Sequence, residues 1–302
     1  MKTRNLWQPG CLLIILMLNL AGLYAQDEGG NTLPIKYEEL TAPEFREAIL
    51  QSGGTCIIPI GILEKHGTHL PLGTDVIIAR EIALRGAGKE YAVVFPEYFV
   101  SQVSVVRPQP GTISYSHETT WNLLDETCSE LARNGMKKII LVNGHGGNNY
   151  LLPYFCQVQL DKPRDYCVVI FTPDEDPEVM EKVKELRNYH FDHHAGDLET
   201  GMMQVVRPDL VDEDHLGEES GVDQERLKAI PHASTGLDWY ASFPNHYAGD
   251  AREPSKEAAE ILIQHRADLL SDLIRVLKTN DDILDLQNQF YREAEDPLST
   301  GH

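Results

Sequence analysis

The sequence predicts an α/β domain built on a mostly parallel central sheet with helices on both faces. Three observations predict it. Short runs of strand length alternate with longer segments of helical period along most of the chain. The strand-like runs are apolar almost throughout, as strands covered on both faces are. Hydrophobic residues make up 42% of the 302, enough for a sizeable core.

The elements follow in order. Residues 43–51 read as a short helix, 55–60 as a buried strand, 76–86 as a helix and 91–95 as a second strand. A helix over 117–134 is closed by Gly135, which tolerates the left-handed conformation that ends helices. The strand 138–142, a helix over 149–160 and the strand 166–171 continue the alternation, and residues 193–201 open a further helical run. Residues 207–253 show no sustained period and are rich in Gly, Asp and His, so they read as long loops able to line a site or a subunit contact. A last long helix is expected from Pro254 and Ser255, with Pro at an early helical position. Its Ile261, Leu262, Leu269, Leu270, Ile274 and Leu277 recur at helical spacing. The domain thus spans 33–280, followed by a C-terminal tail, 281–302, with a short helix over 283–291.

The first 25 residues stand apart. Lys2 and Arg4 precede an apolar run from Cys11 to Leu20, and Ala25 stands before the polar Gln26, the pattern of a secretory signal peptide. The run is too short for a stable membrane span. Cleavage after Ala25 leaves a flexible segment, 26–32, and an exported, periplasmic or secreted chain. Lys2 and Arg4 leave with the signal, so 24 basic residues face 47 acidic ones, a net of −23. Such a charge disfavours nucleic acid as a partner. Cys56, Cys128, Cys156 and Cys167 remain, without a CxxC element, and read as unpaired core thiols.

The chemistry concentrates at expected strand ends, where α/β sheets gather their ligands. Glu64, His66, His69 and Asp75 lie within one span of twelve residues after the first strand. This is a carboxylate and imidazole set of the kind that suits zinc, manganese or iron. Asn143-Gly-His145-Gly-Gly-Asn148 follows the third strand, and His194 and Glu199 open a later helix. Each has a plainer reading: Asp75 as a helix N-cap, Glu64 and His66 as a hydrogen-bonded surface pair, the glycines as a phosphate cradle. The phosphate reading lacks the GxxxxGK[ST] pattern. His190 and His194 are four apart, but Phe191 stands where HExxH needs Glu, and no GxSxG nucleophile turn exists.

Together the blocks Glu64-Lys-His66-Gly-Thr-His69-Leu-Pro-Leu-Gly-Thr-Asp75, Asn143-Gly-His145-Gly-Gly-Asn148 and His194-Ala-Gly-Asp-Leu-Glu199-Thr resemble the signatures of the creatininase (creatinine amidohydrolase) family, in its His-Gly-Gly-Asn subgroup. Pro110-Gly-Thr112-Ile113 and the segment from Gly249 to Ala259 fit as well. The resemblance implies a three-layer α/β/α domain, a homohexamer, and two divalent metal ions per subunit (Zn, Mn or Fe) that hydrolyse a small cyclic or otherwise unusual amide. It implies Glu64, His66, Asp75, His145 and Glu199 as metal ligands, with Asp75 shared, and His194 as the catalytic histidine. His69, Gly146, Gly147, Asn148 and Thr112 are expected to support the ligands or contact substrate, the two glycines by letting backbone approach the ions. Creatininase carries a Glu where this chain has Gly147, and Glu199 is expected to close the site in its place. Creatininase also closes over its substrate with tryptophans near the third block, whereas this chain offers Tyr189, His190 and Phe191 there, which points away from creatinine itself. The competing reading is an exported, noncatalytic binding protein of the same fold. It gains if His194 and Glu199 fail to converge with the other ligands.

Overall fold

The computed structural model describes residues 33–301, so the expected signal peptide and the segment 26–32 lie outside them. Helix α1 (Ala42–Gln51) leads into strand β1 (Thr55–Ile60), then α2 (Thr74–Lys89), β2 (Val93–Val94), α3 (His117–Arg133), β3 (Lys138–Asn143), α4 (Asn148–Val158) and β4 (Cys167–Ile170). The strands form one parallel sheet in the order β2-β1-β3-β4. Helices α5 (Pro177–Glu185), α6 (Asp197–Val206), α7 (Asp238–Ser242), α8 (Lys256–Thr279) and α9 (Asp282–Glu295) complete the order.

Alternate residues of the strands feed two separate cores, which makes the three layers. Ile57, Val94, Ile140 and Val142 point to one side and pack with Ile82 of α2, Met203 of α6 and Leu262, Leu270 and Ile274 of α8. Cys56, Ile58, Ile60, Ile139 and Leu141 point to the other and pack with Leu124 and Cys128 of α3 and Leu152 and Phe155 of α4. Both faces of the sheet are therefore dry. The four cysteines are unpaired, three of them fully buried. No helix among the described residues is long and apolar enough to cross a membrane.

Several elements differ from the sequence expectation. The second strand shrinks to Val93–Val94, because it is an edge whose other neighbour is only the bridge from Lys36 to Val94. Helix α5 was not anticipated; Asp176 caps it by accepting from Glu178 N, and only Val183 on it is buried. Pro254 lies outside α8, whose N-cap is Ser255, its hydroxyl accepting from Ala258 N at 3.2 Å. Helix α9 runs past both expected ends, to 282–295. Gln287 and Tyr291 tie it down by donating to the carbonyls of Tyr166 and Gln159.

Candidate metal centre

The sheet brings the first two blocks together. The ends of β1 and β3 are joined by Gly144 N donating to Ile60 O at 2.8 Å, and the first turn of α2 lies directly on that junction. A Cβ on Gly61 would stand 2.7 Å from Val76 N, and one on Gly144 would overlap the Asp75 carbonyl. These two glycines admit the close approach that delivers Asp75. Asp75 is not an N-cap: Gly73 holds that position, and Asp75 sits within the first turn of α2.

Glu64, His66, Asp75 and His145 converge below the surface. His145 Nδ1 is 3.1 Å from Glu64 Oε1 and 3.1 Å from Asp75 Oδ2, yet neither oxygen has a hydrogen-bond partner. His66 Nε2 is 3.0 Å from Asp75 Oδ1 and 4.0 Å from Glu64 Oε1. Asp75 thus offers one oxygen to each imidazole. Each of these buried carboxylates has a partner on its other oxygen, and leaving Oε1 and Oδ2 without one is costly unless a cation offsets them. The donor set, two imidazoles and two carboxylates with unpartnered oxygens, fits a divalent transition metal.

The third block reaches the same place by a different route. The backbone of His194 pairs with that of Ala248 in both directions, 3.0 and 3.1 Å, and Ala195 turns away with a φ of 58°. That places His194 Nδ1 3.9 Å from Glu64 Oε1 and 3.9 Å from Glu199 Oε2. His66, His194 and Glu199 form one group of ligand-type atoms, and Glu64, His66 and Asp75 form another. Glu199 lies toward the mouth, with 29% of its side chain exposed, and accepts from Ala195 N at 2.5 Å.

Backbone carbonyls fix which nitrogen each histidine presents. Nδ1 of His66 lies 3.2 Å from Glu64 O, and Nε2 of His194 lies 2.9 Å from Lys65 O. A carbonyl only accepts, so each ring carries a proton on that outer nitrogen and turns the other nitrogen inward, the one that can give a lone pair to a metal.

Charge explains the titration of the cluster. Burial alone would lower the pKa of His66, but the Asp75, Glu199 and Glu64 carboxylates more than offset it and raise it to about 9. For His145 burial is again overcome, by Glu64 and Asp75, to about 10. Glu64 is held well below the usual carboxylate range because His145, His194 and His246 outweigh its burial. Without a metal, protons supply the positive charge that the carboxylates demand.

The residues expected to support the ligands sit around the cluster. His69 touches none of the ligands; its Nε2 lies 2.9 Å from Thr200 Oγ1, joining the first block to α6. Asn148 is fully buried and braces the loop, donating to Asn143 Oδ1 and accepting from Ser101 Oγ. Thr112 stands beside Ile113, whose N–H bonds Leu63 O, and its own hydroxyl is buried without a partner. A Cβ on Gly146 would meet no protein atom within 4 Å, whereas a Cβ on Gly147 would overlap the His145 ring. His190 is exposed and shares no helix with His194.

Two site residues escaped the sequence reading, both in the aperiodic stretch 207–253. His246 Nε2 is 2.8 Å from Glu64 Oε2, and Trp239 Nε1 donates to His246 Nδ1 at 2.7 Å. Trp239 also meets His194 edge-on with 6.1 Å between ring centroids. A tryptophan does stand over the third block, brought there by the fold and not by sequence position. The signal that could have found them is the local cluster Trp239, Tyr240, Phe243, His246 and Tyr247 inside the aperiodic stretch 207–253.

Comparison with known proteins gives the family and the fold. Residues 38–274 match the family described as creatininase, creatinine amidohydrolase. Creatinine amidohydrolase of Pseudomonas putida is 26% identical over 251 residues, 78% of this chain and 95% of that one. Mycofactocin precursor peptide peptidase of Mycolicibacterium smegmatis is 30% identical over 167 residues, 53% of this chain and 61% of that one. A solved structure of manganese creatininase superposes with a TM-score of 0.67 at 23% identity, covering 82% of this chain and 99% of its own. With the family match spanning residues 38–274 and the fold shared over 82% of the chain, the protein belongs to the creatininase family.

Proposed function

We propose that the protein is an exported amidohydrolase that holds two divalent ions per subunit and cleaves the C–N bond of a small cyclic or otherwise unusual amide. The observation that carries this reading is the pair of buried, unpartnered oxygens, Glu64 Oε1 and Asp75 Oδ2, both 3.1 Å from His145 Nδ1. In it, Glu64, His66, Asp75, His145 and Glu199 would hold the ions, with Asp75 placed between the two imidazoles. Zinc, manganese and iron all suit these donors. Such ions supply Lewis-acid polarisation of an amide carbonyl and a nucleophilic water near neutral pH.

The chain's own groups do the rest. His194, its outer nitrogen committed to Lys65 O, has Nδ1 free to take a proton and then donate it to the departing nitrogen. Trp239, Phe243 and Phe191 form an aromatic run beside it, with centroids 4.9 and 6.1 Å apart, which offers an apolar surface for a substrate to rest on. The convergence of His194 and Glu199 with the other ligands favours turnover over a noncatalytic binding protein.

Metal analysis of replete protein, followed by a screen of cyclic and short-chain amides with mass spectrometry of products, tests the reading. About two ions per subunit are expected, with Asp75→Asn losing both ions and activity. Replete protein without bound metal would sink the proposal. Export, with cleavage after Ala25, is checked by N-terminal sequencing of protein recovered from a native-type host. The expected homohexamer is checked by light scattering.

A further inference from the structure

His66 and His194 carry protons on their outer nitrogens, which face backbone carbonyls, and so leave the inner nitrogen as the one able to bind a metal. His246 is the opposite case. Its outer nitrogen, Nδ1, faces the indole N–H of Trp239 at 2.7 Å, and an indole nitrogen only donates. Nδ1 must therefore accept, so the ring proton resides on Nε2 and is donated to Glu64 Oε2 at 2.8 Å. A ring nitrogen that carries a proton has no lone pair to give a metal. His246 lies within ligand range of Glu64 and His194, but this tautomer excludes that trio as a metal site.

The loop is built to hold His246 there. His246 adopts a φ of 56°, a left-handed conformation unfavourable to a residue with a Cβ. The residues before it are anchored on both sides. Lys65 Nζ donates to Asn245 O at 2.9 Å, and Gln109 Nε2 donates to Pro244 O at 2.7 Å. Lys65 is also paired with Glu219, so the residue between Glu64 and His66 fastens the loop to the ligand segment.

We propose that His246, its tautomer fixed by Trp239, is the positioning residue for Glu64: it occupies Oε2 and presents Oε1 alone to the metal. The inference rests on the metal reading above. It accounts for the division within that carboxylate, where Oε2 has a donor and Oε1 has none. Outer partners of this kind change metal affinity by about 10–100-fold.

The test is cobalt(II) titration of the full-length mature protein against a competing chelator, followed by visible absorption, for wild type, His246→Asn, His246→Gln and Trp239→Phe. Asparagine tolerates the left-handed backbone but is too short to reach Glu64, and should weaken one site by about 10–100-fold. Glutamine can return an N–H to Glu64 and should recover most of that loss. Trp239→Phe keeps the ring packing but frees Nδ1 to carry the proton, so Nε2 can become a ligand; an altered cobalt spectrum is expected. Circular dichroism confirms folding, and Trp239→Phe keeps the test decisive if His246→Asn fails to fold. Wild type that binds cobalt, with all folded variants matching its affinity and spectrum, overturns this inference alone. Wild type that binds no cobalt overturns the metal reading and this inference with it.

Discussion

Replacing Gly147 with alanine tests whether His145 is held in place for a metal. A Cβ at residue 147 would overlap Nε2 of His145 and lie 3.1 and 3.2 Å from Cδ2 and Cε1. Comfortable carbon contacts begin near 3.5 Å, so relieving the overlap moves the ring by roughly 1 Å. The ring has no slack, because Nδ1 is 3.1 Å from both Glu64 and Asp75 and the residue is only 8% exposed. Ligand distances tolerate about 0.2 Å, so such a shift removes His145 from the donor set. The backbone needs no change, since φ at Gly147 is an ordinary −62°. A fall of about 100-fold in the affinity of one metal is expected, with the fold intact. Gly146→Ala is the control, as a Cβ there meets nothing within 4 Å. Calorimetric zinc titration of chelator-stripped protein reads both variants. Gly147→Ala binding as tightly as wild type would refute the reasoning, and so would Gly146→Ala binding as weakly as Gly147→Ala. Gly147→Glu, which restores the carboxylate of creatininase, meets the same obstacle and is expected to lose metal.

Three other outcomes are expected. In stripped protein His66 and His145 have pKa values raised from 6.5 to about 9 and about 10, so their stabilisation is complete below pH 6.5 and lost as pH rises through 9 to 10. The rise for His66 alone corresponds to roughly 3 kcal/mol; urea melts between pH 6 and 10 should show the loss in stripped protein and little of it in metal-loaded protein. Leu270→Ala opens the contact between α2 and α8 and should cost about 2–5 kcal/mol in the same assay. Gly86→Ala, whose Cβ would stand 2.9 Å from Leu270 Cδ2, should destabilise wild type but be tolerated in the Leu270→Ala background; additive effects would mean that the two positions do not share that contact.

Much of the fold was legible because it depends on local periodicity. The strand 55–60 coincides with β1, and the helix 117–134 ends where Gly135 takes a φ of 101°. What failed was local information overridden by neighbours. Edge position cut β2 to two residues. Helix α5 was passed over although Asp176 at its N-cap, Pro177 in its first turn and the stripe Val179, Met180 and Val183 mark it; at nine residues it is too short for periodicity alone to set it apart from the loops beside it.

The site divides along the same line. Glu64, His66, Asp75, His145, His194 and Glu199 were nameable because ligand-type residues cluster at strand ends and carry the family's spacing. The roles of the glycines were not legible, since whether a missing Cβ matters depends on what stands opposite. Gly144 faces Asp75 and Gly147 faces His145, whereas Gly146 faces nothing.

By itself the sequence determined the layered α/β plan, the family and the inventory of donors, because periodicity and motif spacing are properties of adjacent residues. Only the tertiary structure decided which donors share a carboxylate, which nitrogen each histidine turns inward, and that Trp239 and His246 belong to the site. Those depend on contacts across long stretches of chain: Glu64 meets its partner 182 residues away. No pattern in a linear sequence records which groups a fold will bring within 3 Å of one another.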